Sequence, residues 1–301
     1  MTRLRAGLAT LHPRVFFLES WREIDARRTP PNPSGTARFD YRPLVVLCVG
    51  AVSLTLMEYF GHSRAFRQLL ETLAGDGSAY DSAVGNAGVG TGGWSLASFA
   101  ESLRRHPFLR FFDYVWWSGW RVFGYFLIPV ISLKLMGERI RDYGLSFQGL
   151  GAYAPFYALA YVVVLVLVVV VSYSPEFSGY YPFYKNASRS WAEFAGWELL
   201  YAAQFFSLEF FFRGYWLHAC ERSLGSGAIF AMVVPYCMIH FGKPWLEALG
   251  AIIAGIVLGT LALRTRSIWS GFFIHVAVAV SMDVAALLQT RGLPSQLWPP
   301  V

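Results

Sequence analysis

Seven stretches of this chain hold their apolar residues in continuous runs, without strict alternation and without a one-sided stripe. They cover roughly 43–60, 113–136, 151–173, 191–219, 226–241, 246–264 and 267–289. A helix of about 20 mainly apolar residues spans the hydrocarbon core of a bilayer. The pattern therefore predicts an all-α, polytopic transmembrane helical bundle of about seven spans. The third run contains the almost purely aliphatic "YVVVLVLVVVV", which suits a lipid-facing or scaffold helix. In the sixth, "ALGAIIAGIVLGTLAL", Ala251, Gly255 and Gly259 recur every four residues. Small side chains on one stripe let neighbouring backbones approach closely, so this helix is expected to draw its neighbours together.

Composition supports that picture. Of 301 residues, 55% are hydrophobic and only 15% charged, and the mean hydropathy is +0.42, too apolar for an ordinary soluble domain. The net charge of +6 does not point to nucleic acid, because the arginines gather at the N-terminus and beside apolar runs. Arg3, Arg5, Arg14, Arg22, Arg27, Arg28, Arg38 and Arg42 precede the first span and favour a cytoplasmic N-terminus. Lys134, Arg139, Arg141, Arg222, Arg264 and Arg266 fall on the same side in a seven-span arrangement, whereas Arg64, Arg67, Arg104, Arg105 and Arg110 run against it. A multi-pass membrane protein with a cytoplasmic N-terminus is the expected setting.

The chain divides into a basic segment at 1–42, N-terminal spans and a loop at 43–190, a helical core at 191–289 and a tail at 290–301. "RVFFLESWREI" and "SFAESLRRHPFLRFF" read as interfacial amphipathic helices. The first 42 residues lack the isolated short apolar core and A-x-A-type site of a cleaved signal peptide. "GNAGVGTGGW" at 85–94 has neither the preceding strand nor the GK[ST] of a phosphate loop and reads as a loop. Cys48, Cys220 and Cys237 have no CxxC spacing, so neither a disulfide framework nor a zinc knot is expected.

Chemistry enters where ionisable residues interrupt the apolar runs, since such groups are costly at membrane depth and mark functional sites. Ser190 and Glu193 form a capping box that starts the fourth helix near Trp191. Within it, Glu209 and Arg213 are four apart on one face and close enough to pair; a self-neutralising structural ion pair is the competing reading. Glu198 lies roughly 16 Å along the axis from Glu209, too far to share a water with it. In "VVPYCMIHFGKP" His240 follows Tyr236 by four residues, and Pro235 frees a backbone carbonyl and kinks the helix. His240 taken alone also fits an interfacial anchor. In "SIWSGFFIHVAVAVSMDVAAL" His275 and Asp283 share an otherwise apolar helix, which favours a lined cavity or polar path. Counted from the proposed cytoplasmic ends, Glu209 and His275 fall at ~15 and ~12 Å depth and His240 at ~21 Å.

The order "EFFFRG", "YCMIHFGKP", "SIWSGFFIH", each on its own span, resembles the CPBP intramembrane proteases, the group of the CAAX prenyl endopeptidases and bacteriocin self-immunity proteins. The resemblance covers roughly 195–289. The family pattern is EExxxR, FxxxH and HxxxN or HxxxD, and it implies peptide hydrolysis within the membrane. By position, Glu209 is the second carboxylate of the pair, Arg213 its arginine, His240 the first histidine and His275 the second, with Tyr236 in place of phenylalanine. Leu208 stands where the first, water-activating glutamate would be, and Ala279 where the final asparagine or aspartate would be. Asp283, with a helix offset of ~12 Å from His275, does not replace a group one turn away.

The resemblance thus implies a glutamic-type intramembrane endopeptidase with no cofactor. In it Glu209 acts as base with Arg213 beside it, His240 orients the water and His275 faces the oxyanion. Its partners would be the bilayer and a membrane-anchored protein or peptide, with a myxosortase-like trimming role as one candidate. Two alternatives stay open: a zinc-dependent membrane protease, since two histidines and a carboxylate can hold zinc, and a catalytically silent binding or immunity protein, for which Leu208 and Ala279 speak.

Overall fold

The computed structural model describes residues 12, 14–28, 40–75, 95–147 and 150–299; the glycine-rich 85–94 stretch lies outside them. Among the described residues the regular structure is helical, joined by loops and turns, apart from one isolated bridge between Leu145 and Ser267.

After a π-helical turn at Arg14–Glu19 comes α1 (Ser20–Ala26). There follow α2 (Arg42–Phe60), α3 (Ser63–Ala74), α4 (Leu96–Arg104) and α5 (Leu109–Val122), the last running through a π segment at Phe123–Leu127 into α6 (Ile128–Leu135). Next come α7 (Ala154–Ser172) and the short α8 (Pro175–Tyr180). The C-terminal core opens with α9 (Trp191–Glu209), which passes through a π segment at Phe210–Trp216 into α10 (Leu217–Leu224). It closes with α11 (Gly227–Met238), α12 (Trp245–Thr265) and α13 (Trp269–Gln289). Helices α2, α7, α12 and α13 are long and apolar enough to cross a membrane by themselves, and the protein is an integral membrane helical bundle.

The helix starts follow local chemistry. Ser190 caps α9 by accepting from the Glu193 amide at 3.1 Å, satisfying a donor that the first helical turn leaves free. Pro43 stands in the first turn of α2, and a proline there forfeits no intrahelical hydrogen bond. In α7, Leu159, Val162, Val163, Val166, Leu167 and Val170 are about half exposed, so the aliphatic run faces lipid.

The small-residue stripe of α12 works as its spacing implies. A Cβ on Gly255 would stand 3.0 Å from Val233 and 3.1 Å from the Tyr236 ring, and one on Gly259 3.2 Å from both Ile229 and Met232. Close approach of α12 to α11 thus sets where Tyr236 lies. The "RVFFLESWREI" segment packs on the protein: Phe16 and Ile24 are buried, and the Trp21 indole donates to Thr260 Oγ1 at 3.1 Å. Arg67 pairs with Asp113 at 2.6 Å, and Arg104 and Arg105 both pair with Glu101. Three of the arginines that run against the charge rule are therefore locally compensated.

Candidate active site

The run "SLEFFFRGYW" is the most deeply buried part of the chain: Glu209, Phe210, Phe211, Phe212 and Arg213 all have essentially no exposed surface. Its helix widens into the π form just after Glu209, and such segments occur often at functional sites. Arg213 Nη1 lies 3.1 Å from Glu209 Oε1. The guanidinium also stands over the Tyr236 ring, 3.9 Å from its centroid. The arginine thus finds an anion on its own helix and a negative π-face on α11.

The same carboxylate oxygen reaches α13. Glu209 Oε1 is 2.7 Å from His275 Nδ1, and an ionised carboxylate only accepts, so the proton of this contact belongs on Nδ1. The other ring nitrogen, Nε2, is then an acceptor and meets the Tyr236 hydroxyl at 3.0 Å; the tautomer follows from this network. Phe205, one helical turn before Glu209, stacks on the His275 ring at 5.2 Å with planes only 4° apart. Gly271, one turn before His275, leaves the space that the carboxylate fills: a Cβ there would lie 2.9 Å from the Glu209 carboxyl carbon.

His240 lies beyond the end of α11, in the turn after Met238. Helix α11 is therefore shorter than the 226–241 span expected from hydropathy. Its Nδ1 lies 2.8 Å from the Tyr236 carbonyl, a contact that needs the proton on Nδ1 and leaves an Nε2 lone pair. The Tyr236 ring is close to both imidazoles, its centroid 5.0 Å from that of His240 and 6.5 Å from that of His275.

A cavity of about 1110 Å³ opens beside this group, and Tyr236, His240, His275, Leu208 and Ala279 line it. Glu209 and Arg213 do not; they stand behind His275. Leu208 and Ala279 put hydrocarbon on the wall where the resembling pattern has polar groups. Asp283 is fully buried away from the cavity and accepts from the Trp197 indole at 2.6 Å. Nor does Glu198 line the cavity. Among the described residues, no three His, Cys, Asp or Glu side chains converge as a metal donor set. Sequence reading had named Tyr236 without its hydroxyl contact and had missed Phe205 and Gly271. Gly271 was legible in principle, four residues before His275 on the same helical face.

Fold and site thus define an integral membrane protein whose buried acid–arginine pair backs an imidazole at the wall of a large cavity. Residues 190–281 match the family described as type II CAAX prenyl endopeptidase Rce1-like, which supports the resemblance of this C-terminal core to the CPBP and CAAX proteases. No curated protein and no solved structure matches the chain.

Proposed function

We propose that the protein is an intramembrane endopeptidase that hydrolyses a peptide bond of a membrane-anchored substrate, with water activated between His240 and His275. The observation that carries this reading is the 2.7 Å contact of Glu209 with His275 at the edge of a cavity that both histidines line. In the proposed reaction His240 takes a proton from water through its Nε2 lone pair, and the oxygen attacks the scissile carbonyl. The proton then passes to the leaving amine. The oxyanion develops on the His275 side, where the Tyr236 hydroxyl, which meets His275 Nε2 at 3.0 Å at rest, can turn its hydrogen to the new charge. Glu209, held by Arg213, keeps His275 oriented as negative charge builds. This differs from the assignment by resemblance, in which Glu209 itself takes the proton. The carboxylate's position behind the ring favours the positioning role.

The bacterial inner membrane and a cytoplasmic N-terminus belong to the same proposal, as does a myxosortase-like substrate, whereas the positioning role of Glu209 departs from the glutamic subclass. No step is routed through zinc, because the donor set does not fit it. The hydrocarbon of Leu208 and Ala279 favours a second reading, a member that binds such segments without cutting them. Purified protein incubated with membrane-anchored peptides separates the two: fragments by mass spectrometry, lost in His240→Ala and His275→Ala variants that remain folded, support hydrolysis. Tight peptide binding with no fragments supports the silent binder.

A further inference from the structure

One cation on the cavity wall has no role in the proposed reaction. Arg121 sits in α5, in the apolar sequence "YVWWSGWRVFGYF", and lines the cavity. Its guanidinium carbon lies 5.6 Å from the Trp117 ring centroid and 5.9 Å from that of Tyr125, one turn to either side. The other charges on the wall are arranged differently. Arg67 is paired with Asp113, Lys243 with Glu247 and His62 with Glu58, while Glu176 and Arg110 are exposed and Lys185 donates to the Gly179 carbonyl. Among the described residues no carboxylate lies within ion-pair distance of Arg121. A guanidinium whose neighbours are the Trp117 ring and the ring and hydroxyl of Tyr125, and which faces a cavity among apolar helices, has polar and π contacts but no anion to balance its charge.

Arg121 also stands at the level of the site. Helices α5 and α9 run side by side, with Ser118 donating to the Leu200 carbonyl at 2.9 Å and Phe126 packing on Phe206 and Phe210. Arg121, between those anchors, falls level with Gln204 and Phe205, and Phe205 is the residue stacked on His275. Gln204 is 95% buried and lines the same cavity. Its amide N–H group is the complement that an anion beside the guanidinium would use. Tyr125 packs on Phe212 and Phe212 on Tyr236, which links Arg121 by packed rings to the group that touches His275.

We infer that Arg121 is a specificity-determining residue that receives a carboxylate of the bound peptide, with Gln204 as its neutral partner. The inference rests on the endopeptidase reading and deepens it. Arginine suits this task because its planar fork pairs with a carboxylate through two parallel hydrogen bonds. The carboxylate can be the peptide's C-terminus or an acidic side chain, and the chemistry of recognition is the same.

The test uses the full-length protein in liposomes and fluorogenic apolar peptides, each made with a C-terminal acid or amide and with an internal Glu or Gln. Wild type is expected to prefer one of the acidic forms by roughly 10- to 100-fold in kcat/KM, expressed in KM. Arg121→Gln should erase that preference while leaving the neutral peptides unchanged, and Arg121→Lys should restore part of it. A preference for the terminal acid and a preference for the internal Glu each support the inference and identify the source of the carboxylate. Equal turnover of acidic and neutral peptides by wild type overturns it, as does an equal loss on both in Arg121→Gln. If wild type cuts nothing, the endopeptidase reading fails, and peptide binding by fluorescence anisotropy still decides the role of Arg121. In that case an acid-over-neutral affinity ratio that Arg121→Gln abolishes supports the inference, and a ratio of one refutes it.

Discussion

Substituting Gly271 with alanine perturbs the site without touching a titratable group. The new Cβ would stand 2.9 Å from the carboxyl carbon of Glu209 and closer still to Oε2. Carbon atoms rest at about 3.5–4.0 Å from their neighbours, so the carboxylate has to retreat by on the order of 1 Å. It has little room to do so, since Glu209 is fully buried, with Arg213 3.1 Å away and His275 2.7 Å away. Either the contact with His275 opens or the imidazole moves with it. A 1 Å misplacement of a catalytic constellation costs about 100-fold in rate, whereas overpacking by one methyl costs about 1–3 kcal/mol of stability. The expected outcome for Gly271→Ala is therefore a loss of about two orders of magnitude in kcat/KM on a membrane-anchored peptide, with a folded protein in detergent by thermal unfolding. Full activity in a folded Gly271→Ala protein would refute the claim that turnover depends on how Glu209 seats His275.

Other consequences can be measured on the same preparation. Tyr236→Phe keeps the ring beneath Arg213 but removes the hydroxyl 3.0 Å from His275 Nε2; turnover should fall about tenfold with about 1 kcal/mol or less of stability lost, and an unchanged rate would remove the hydroxyl from the account. Glu209→Ala leaves Arg213 buried with no anion, which costs about 3–5 kcal/mol, and the double variant Glu209→Ala/Arg213→Met should recover much of that stability without recovering activity, as read by unfolding and peptide cleavage in parallel. Ala279→Asn puts an amide on the cavity wall one turn from His275 and should raise turnover severalfold by adding an oxyanion donor; a fall in turnover would count against His275 facing the oxyanion. Trp197→Phe takes from Asp283 its 2.6 Å donor and should destabilise by about 1–3 kcal/mol while kcat/KM of the folded fraction stays near wild type.

The parts of this architecture that local patterning controls were readable from the chain. Glu209 and Arg213 pair because four residues return a helix to the same face, and Ser190 caps α9 because its side chain reaches the Glu193 amide. The Ala251, Gly255 and Gly259 stripe predicted a close helix neighbour and has one in α11. What the chain did not disclose depends on contacts between residues far apart in it. Asp283 looked like part of a polar path, yet one of its carboxylate oxygens is held by the indole of Trp197, 86 residues away. The carboxylate of Glu209 was expected to meet water directly, and only the packing of α13 against α9 shows His275 standing between it and the cavity. Hydropathy carried α11 on to residue 241, whereas the helix ends at Met238. That difference places His240 in a turn, with its ring fixed by the Tyr236 carbonyl, a contact that periodicity does not report.

The central claim, that His240 and His275 activate water at the edge of this cavity, is tested most directly by cleaving a membrane-anchored peptide in heavy-oxygen water and weighing the fragments. The account predicts that the wild-type protein releases fragments whose new carboxyl group carries one heavy oxygen, and that folded His275→Ala yields none above background. Undiminished cleavage by His275→Ala, or fragments without the heavy oxygen, would contradict it.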